Sequence, residues 1–376
     1  PGVKREVYGL AVDLGSTTIA AQLCNLITGE VVATADTMNP QIRFGEDLMS
    51  RVSYVMMNEG GDVAMTEVVR EAFNQLAKRA VKKAGIQLED ILDIVVVANP
   101  IMHHLFLGID PTPLGTAPFA LTTDQTQIVR AADIGIHLHA ETRVCTLPCI
   151  AGHIGADTAG VILSERPDLA EEYVLLVDVG TNAEIVLGNR NRLLAASSPT
   201  GPAFEGAQIS SGQRAAPGAI ERVRIDPETL EPRYRVIGCD VWSDDAEFAE
   251  KSARVGVSGI CGSGIIEVIA EMYLSGVIDE DGVIGPIVGK TTNRIVEDGR
   301  TYSYVIQEGE RSIRITQNDV RAIQLGKAAL HAGTRLLLDH MGIDKVDRIG
   351  LAGAFGSHID VKYAMVLGMI PDCNLD

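Results

Sequence analysis

One short pattern occurs twice in this chain and constrains its fold more than any other feature. An apolar, β-prone run over residues 7–12 leads into Asp13-Leu14-Gly15-Ser16-Thr17-Thr18. A second such run over 173–177 leads into Asp178-Val179-Gly180-Thr181-Asn182. Each copy continues with a further β-prone run (19–23; 184–187), a turn rich in Gly or Asn, and a third run (31–35; 193–196). Both stretches therefore read as strand, tight turn, strand, turn, strand. The two aspartates are 165 positions apart (178 minus 13). A repeat on that scale predicts two lobes of related fold.

The segments between and after the copies supply helices. Residues 64–84 place Val68, Val69, Phe73, Leu76, Ala80 and Val81 on one stripe, and Gly85 ends it. Residues 91–98 read as a buried strand, broken by Asn99-Pro100. Residues 145–150 and 151–163 read as a strand and a helix, and 260–275 as another helix. Residues 217–257 and 276–315 alternate turns with short β-like runs and read as β-rich inserts. Thr316 with Asp319 forms a capping-box pattern for a long helix, Gly342 is its expected C-cap, and 346–352 is a strand running into Gly353. The expected architecture is α/β, with lobes at 1–167 and 168–376. Each lobe is a mixed sheet with helices, and a ligand cleft is expected between them.

At 376 residues and 46% hydrophobic content, the chain can fill two such cores. It has no apolar stretch of membrane-spanning length and no secretory leader pattern, so a cytoplasmic protein without membrane attachment is expected. A formal charge of −18 argues against nucleic acid as a partner. The start at Pro1-Gly2-Val3-Lys4, without an initiator Met, and the stop at Asp376 read as the ends of a fragment. Cys24, Cys145, Cys149, Cys239, Cys261 and Cys373 show neither a CxxC pair nor a plant-type iron–sulfur spacing, and most of them read as small buried hydrophobes.

The repeated loops carry the chemistry. Gly15 lets the backbone turn and approach a ligand, the following N–H groups can converge on an anion, and Ser16, Thr17 and Thr18 add hydroxyls. Asp13, at a strand end, can hold Mg²⁺ through water, and so can Asp178. A plain hairpin turn is the bland alternative for one copy; the second, with Gly180, Thr181 and Asn182, shifts the balance toward phosphate. Gly350-Leu351-Ala352-Gly353-Ala354-Phe355-Gly356 has the small residues that let a purine or ribose reach the backbone, with Gly353, Ala354 and Gly356 as the expected contacts. Ser258-Gly259-Ile260-Cys261-Gly262-Ser263-Gly264 opens a helix. Gly259, Gly262, Ser263 and Gly264 suit a phosphate there, or only close packing. Glu184, Asp157 and Glu205 are candidates for the acceptor that orients water in ATP hydrolysis, or are caps and surface charges.

Other patterns carry less. Gly285 to Gly289 before Lys290-Thr291 has three residues between its glycines, one short of a P-loop, and reads as a surface turn. His137, His139 and Glu141 would share one face of a strand, with no fourth metal ligand in view. His103-His104 reads as a helix start or a packing pair, and Trp242 to Asp245 as an exposed turn.

With these residues set out, the chain resembles the sugar kinase, heat-shock chaperone and actin superfamily, of ribonuclease H-like, actin-like ATPase (ASKHA-type) fold. Asp13 to Thr18 and Asp178 to Asn182 look like its two phosphate motifs, and Gly350 to Gly356 like its adenosine motif. More narrowly, it resembles the reductive activators of corrinoid proteins. The matching stretches are Asp178 through Glu184, Gly201-Pro202-Ala203-Phe204-Glu205-Gly206, Met102-His103-His104-Leu105 with Leu107-Gly108-Ile109-Asp110, and Gly259 through Gly264. That resemblance implies ATP and Mg²⁺ as ligands, and a corrinoid (cobalamin-binding) protein of a methyltransferase system as partner. It implies an electron donor such as a ferredoxin or flavodoxin, a homodimer, and a 2Fe–2S cluster in an N-terminal domain outside this chain. The implied activity returns Co(II) corrinoid to Co(I), with slow ATP hydrolysis. A 2-hydroxyacyl-CoA dehydratase activator, a small-molecule kinase and an actin-like structural module are the alternatives.

Overall fold

The structure is a computed structural model. It describes residues 6–309 and 312–374, leaving aside the side chain of Ala354. The chain divides into two compact units after Arg166.

The first unit opens with β1 (Tyr8–Leu14), β2 (Thr18–Asn25) and β3 (Val31–Met38), an antiparallel meander. Burial alternates along β2, with Ile19, Ala21 and Leu23 inward, as a half-covered antiparallel strand requires. Two helices follow: α1 (Leu48–Met57), which the sequence pattern did not reveal, and α2 (Gly61–Ala84). Helix α2 packs Val69, Phe73 and Leu76 into the core shared with Leu10, Val12 and Leu14, and ends at Gly85 in the left-handed region (φ 72°). Val68 is only half-buried. Strand β4 (Ile91–Ala98) lies parallel to β1, and Asn99 then caps α3 (Pro100–Leu107) through its side chain. Strands β5 (Gln127–Arg130) and β6 (Arg143–Thr146) complete a sheet of order β3-β2-β1-β4-β6-β5, and α4 (Ala156–Glu165) closes the unit. This helix starts five residues later than the periodicity suggests. Residues 137–141, expected on a strand face, lie in a loop, because Gly135 in the left-handed region turns the chain and β6 starts only at Arg143. The outer edge of β3 is covered: Lys83 Nζ donates to Thr34 O (2.7 Å) and Arg79 Nη1 to Asp36 O (3.0 Å).

The second unit repeats the opening with β7 (Val174–Val179), β8 (Ala183–Asn189) and β9 (Arg192–Ser198). Two small sheets occupy the expected inserts. One contains β10 (Ala219–Ile225) and β11 (Pro232–Val236); after α5 (Phe248–Ser252), β12 (Gly259–Ile260) pairs with β10 in parallel. Helix α6 (Gly262–Leu274) comes next. The other small sheet is β13 (Ile295–Asp298), β14 (Thr301–Gln307) and β15 (Ile313–Thr316). Helix α7 (Gln317–Met341) has the expected capping box between Thr316 and Asp319, and Gly342 as a left-handed C-cap. Strand β16 (Arg348–Ala352), α8 (Gly353–Gly356) and α9 (Val361–Val366) follow. The main sheet has order β16-β7-β8-β9, with β16 parallel to β7. Strand for strand, this repeats β4-β1-β2-β3, four of the six strands of the first sheet.

Two glutamates fasten the first insert to α6. Glu267 and Glu271, one turn apart, accept the backbone N–H groups of Val223 (2.9 Å) and Ile225 (3.0 Å) along β10. Buried Glu267 also pairs with Arg222 (2.7 Å) and with Arg224, and Tyr363 donates its hydroxyl to Glu271.

Candidate functional site: two pinned hairpin loops

In the first unit the loop from Asp13 to Thr18 is fixed from beneath. Asn39, wholly buried just past β3, donates Nδ2–H to Gly15 O (2.8 Å), and its backbone N–H goes to Thr17 O (2.8 Å). Arg51 of α1, also wholly buried, donates Nη2–H to Ser16 O (2.6 Å). A trans peptide sets its C=O and the following N–H in opposite directions. Pinning the Gly15 and Ser16 carbonyls therefore turns the Ser16 and Thr17 amides away from these buried groups. Gly15 itself is required, since a Cβ there would lie 2.6 Å from Thr18 O. Asp13 is exposed at the end of β1, opposite Val97 of β4 and Ala20 of β2. At the same end of the sheet, Gly155 packs on Ala98 O and brings in the first turn of α4 with Asp157. Burial pushes the Asp157 carboxyl above its ordinary range, against the lowering by Thr158 N–H (2.7 Å).

The second unit builds the same device from other residues. Thr200, buried just past β9, sets its hydroxyl 2.8 Å from Gly180 O and 3.1 Å from Thr181 O, its one proton shared between them. Gly201 N–H also donates to Thr181 O (2.9 Å). The carbonyls pinned are the counterparts of Gly15 and Ser16, so the Thr181 and Asn182 amides are turned outward in the same sense. Carboxylates gather around this loop. Glu205, at the end of a 3₁₀ turn, accepts from the Thr181 hydroxyl (2.8 Å). Glu184 faces Asp178 across β7 and β8 and accepts from Ser197 (3.2 Å). Gly353 lies against Asp178: a Cβ there would be 2.3 Å from Oδ1, and its φ of 80° suits only glycine. The turn in the second half of the expected adenosine motif thus begins on the carboxylate of the second loop. Gly356 ends that turn over Leu351; the side chain of Ala354 lies outside the described residues.

Gly259, Gly262, Ser263 and Gly264 are all buried, and close packing accounts for their size. A Cβ on Gly262 would lie 2.0 Å from Phe204 O and 2.4 Å from the Phe355 ring; one on Gly264 would lie 2.4 Å from Ile220 O. Ser263 Oγ donates to Glu221 O (3.3 Å). The start of α6 underlies both the Glu205 turn and the Gly353 turn instead of lining a surface. Helix α7 approaches from another side, where a Cβ on Gly326 would meet Phe204 and Thr200 O at 2.9 Å. Asp319 does more than cap it: it accepts Ser210 N–H (2.8 Å) and the Ser210 hydroxyl (3.1 Å), anchoring the loop after Glu205.

Asn39, Arg51 and Thr200 escaped the sequence reading. Asn39-Pro40 is a turn signal and Asp47 with Ser50 a cap signal, but neither says that a side chain reaches back 24 or 35 residues. His103 and His104, inside α3, are buried packing groups: His103 Nε2 meets the Thr146 hydroxyl (3.1 Å), and His104 bridges Pro100 O (2.8 Å) and Thr122 N–H (3.1 Å). Among the described residues no group of three or more His, Cys, Asp or Glu could hold a metal ion. Mg²⁺ asks for less, since it keeps most of its waters and binds through one or two carboxylates and a phosphate. Cys149, Cys239 and Cys261 are buried, and burial pushes the Cys149 thiol up to about 12; Cys24, Cys145 and Cys373 are half-buried, short of the burial expected for most of them. No helix among the described residues is long and apolar enough to cross a membrane.

The repeated sheet order, the paired Asp-x-Gly-[Ser/Thr] hairpins and the glycine turn set on the second aspartate define a nucleotide-binding fold of the ASKHA class. Residues 172–376 match the model of the C-terminal ASKHA domain of RACo, and residues 8–168 match the RACo middle region. The chain belongs to the RACo family. It is 33% identical over 380 residues to the corrinoid activation enzyme RamQ of Eubacterium limosum, covering 98% of this chain and 61% of that protein. It is 28% identical over 386 residues to the [Co(II) methylated amine-specific corrinoid protein] reductase of Methanosarcina barkeri, covering 97% of this chain and 66% of that one. The solved structure of a reductive activator for corrinoid, iron–sulfur protein is similar, with a TM-score of 0.81 and 33% identity, over 99% of this chain and 57% of that chain. The chain thus spans roughly three-fifths to two-thirds of the length of these relatives.

Proposed function

We propose that this chain binds Mg·ATP as the nucleotide-binding part of a reductive activator, which returns the Co(II) state of a corrinoid protein to Co(I). One electron passes to cobalt from a 2Fe–2S centre carried outside this chain, itself reduced by a ferredoxin or flavodoxin. Bound ATP supplies free energy for that uphill step, by favouring one protein state over another. The observation that carries the nucleotide reading is the pinned carbonyls, present in both units at corresponding positions although the pinning residues differ. The corrinoid reading is supported by similarity to named corrinoid activators along nearly the whole chain.

In this reading the amides of Ser16, Thr17, Thr181 and Asn182, with the hydroxyls of Ser16, Thr17 and Thr18, donate to phosphate oxygens, while the Thr181 hydroxyl holds Glu205 beside them. Gly15 and Gly180 allow the close approach. Asp13 and Asp178 hold Mg²⁺ through its waters, and Gly353, Ala354 and Gly356 admit the adenosine. Glu205 and Glu184 orient water, and Asp157, its carboxyl raised by burial, has the character of a proton acceptor. The start of α6, with Gly259, Gly262, Ser263 and Gly264, supports the site from behind. A homodimer working in the cytoplasm completes the proposal.

The test measures Mg·ATP affinity of the wild-type, Asp13→Ala and Asp178→Ala chains. The corresponding full-length proteins are then assayed for Co(I) formation, read by its visible absorbance. Weaker binding in both variants, with loss of Co(I), is expected; unchanged affinity in both removes the assignment. Equal corrinoid-protein affinity with and without ATP would overturn the coupling.

A further inference from the structure

Arg51 carries a full charge and is wholly buried. It donates to three neutral acceptors: Ser16 O (2.6 Å), Gly45 O (3.0 Å) and Met102 Sδ (3.1 Å). Among the described residues no carboxylate comes within ion-pair distance of it; Asp47, which acts on it from further off, is engaged in capping α1 through Ser50 N–H (2.7 Å). Burial pulls the guanidinium down only to about 10, so it stays charged at neutral pH. A buried ion ordinarily has a counter-ion, and this one has none on its own side of the loop.

The geometry points to Arg51 as a positioning residue for phosphate, whose charge is balanced across the Ser16–Thr17 peptide when an anion binds the outward face of the first loop. This rests on the nucleotide reading above. Guanidinium and phosphate would occupy the two ends of one peptide unit, the guanidinium at its oxygen and the phosphate at its N–H. A hydrogen bond at the oxygen polarises the peptide and strengthens the donor at its nitrogen. Three directions are used at once, toward Gly45, Ser16 and Met102, which suits the planar fork of arginine better than an ammonium. The competing explanation is a cross-link that merely ties the Gly45 turn to the hairpin.

Binding of ADP and of adenosine, by calorimetry, to the wild-type, Arg51→Lys and Arg51→Met chains separates the two. A phosphate-positioning role predicts that Arg51→Met weakens ADP by about tenfold or more while adenosine changes by less than about twofold, and that Arg51→Lys recovers part of the loss. A cross-link predicts equal weakening of both ligands, and that result, or unchanged ADP binding, overturns the inference. Should Arg51→Met fail to fold, the wild-type Thr17 amide resonance decides: it shifts with ADP and not with adenosine, and equal shifts or none overturn the inference. A wild-type chain that binds no ADP removes the nucleotide reading, and this inference with it, before any variant is made.

Discussion

Replacing Thr200 with Val removes one hydroxyl and keeps the shape of the side chain. Gly180 O then loses its donor, while Thr181 O keeps the Gly201 N–H. An acceptor left unpaired in a buried setting costs about 1–3 kcal/mol, so urea unfolding should show a loss of that size. The peptide can relieve the cost by rotating Gly180 O toward water, and the same rotation swings the Thr181 amide away from its outward direction. A hydrogen bond from that amide to a charged phosphate is worth about 1.5–3 kcal/mol, so Mg·ADP affinity should fall by roughly 10- to 100-fold. Urea titration and calorimetry on the same preparation read both numbers. A full stability loss with unchanged nucleotide affinity would refute the link between pinned carbonyl and outward amide. No change in either would show that another donor takes over at Gly180 O.

Gly353→Ala should weaken nucleotide binding and cost about 1–3 kcal/mol, because the new methyl would sit on the Asp178 carboxylate at a φ of 80°; an unchanged melting temperature would count against that contact. Glu267→Ala should cost about 3–5 kcal/mol by stripping Arg222, Arg224 and the Val223 amide of their shared buried partner. The only tryptophan, Trp242, stacks on Arg224 and Arg233, so its fluorescence should change, and a loss under about 1 kcal/mol would contradict the network. Burial holds His103 down to about 4 and also lowers His104. Because the unfolded histidine takes up its proton near pH 6.5, the His103 contribution is full above that value and falls as pH drops toward 4, by up to about 1.4 kcal/mol per pH unit, and His104 adds to the loss in the same direction. His103→Gln should flatten that slope by close to one proton, and an unchanged slope would place the acid sensitivity elsewhere.

The features legible in the sequence were those set by neighbours along the chain. Thr316, Asp319 and Gly342 mark the ends of α7 because capping is a contact over three residues. The two Asp-x-Gly hairpins stand out because each is one uninterrupted stretch. Arg51 did not, since an arginine interrupts the apolar stripe by which α1 would have been found, and its purpose lies 35 residues upstream. The glycines from 259 to 264 show another limit. Glycine admits a ligand and a packed backbone equally well, and only their neighbours in space (Gln213 and Ser211 at Gly259, Phe204 and Phe355 at Gly262, Ile220 at Gly264) show how closely they are packed. Inserts were visible as β-rich stretches, whereas the parallel pairing of β12 with β10 sets Ala219 against Gly259 and Ile220 against Ile260, far apart along the chain.

The covered edge of β3 has a consequence for how other proteins can meet this one. A strand offered from outside would find the acceptors at Thr34 and Asp36 already taken by a lysine and an arginine of the same molecule. Those two acceptors are closed to a foreign strand, and the register shift at Val32, where Leu23 pairs with Ala33 but Cys24 with Val31, further disturbs the edge beside them. Lys83 and Arg79 thus guard the edge, and replacing either with a shorter side chain would return a free acceptor to it.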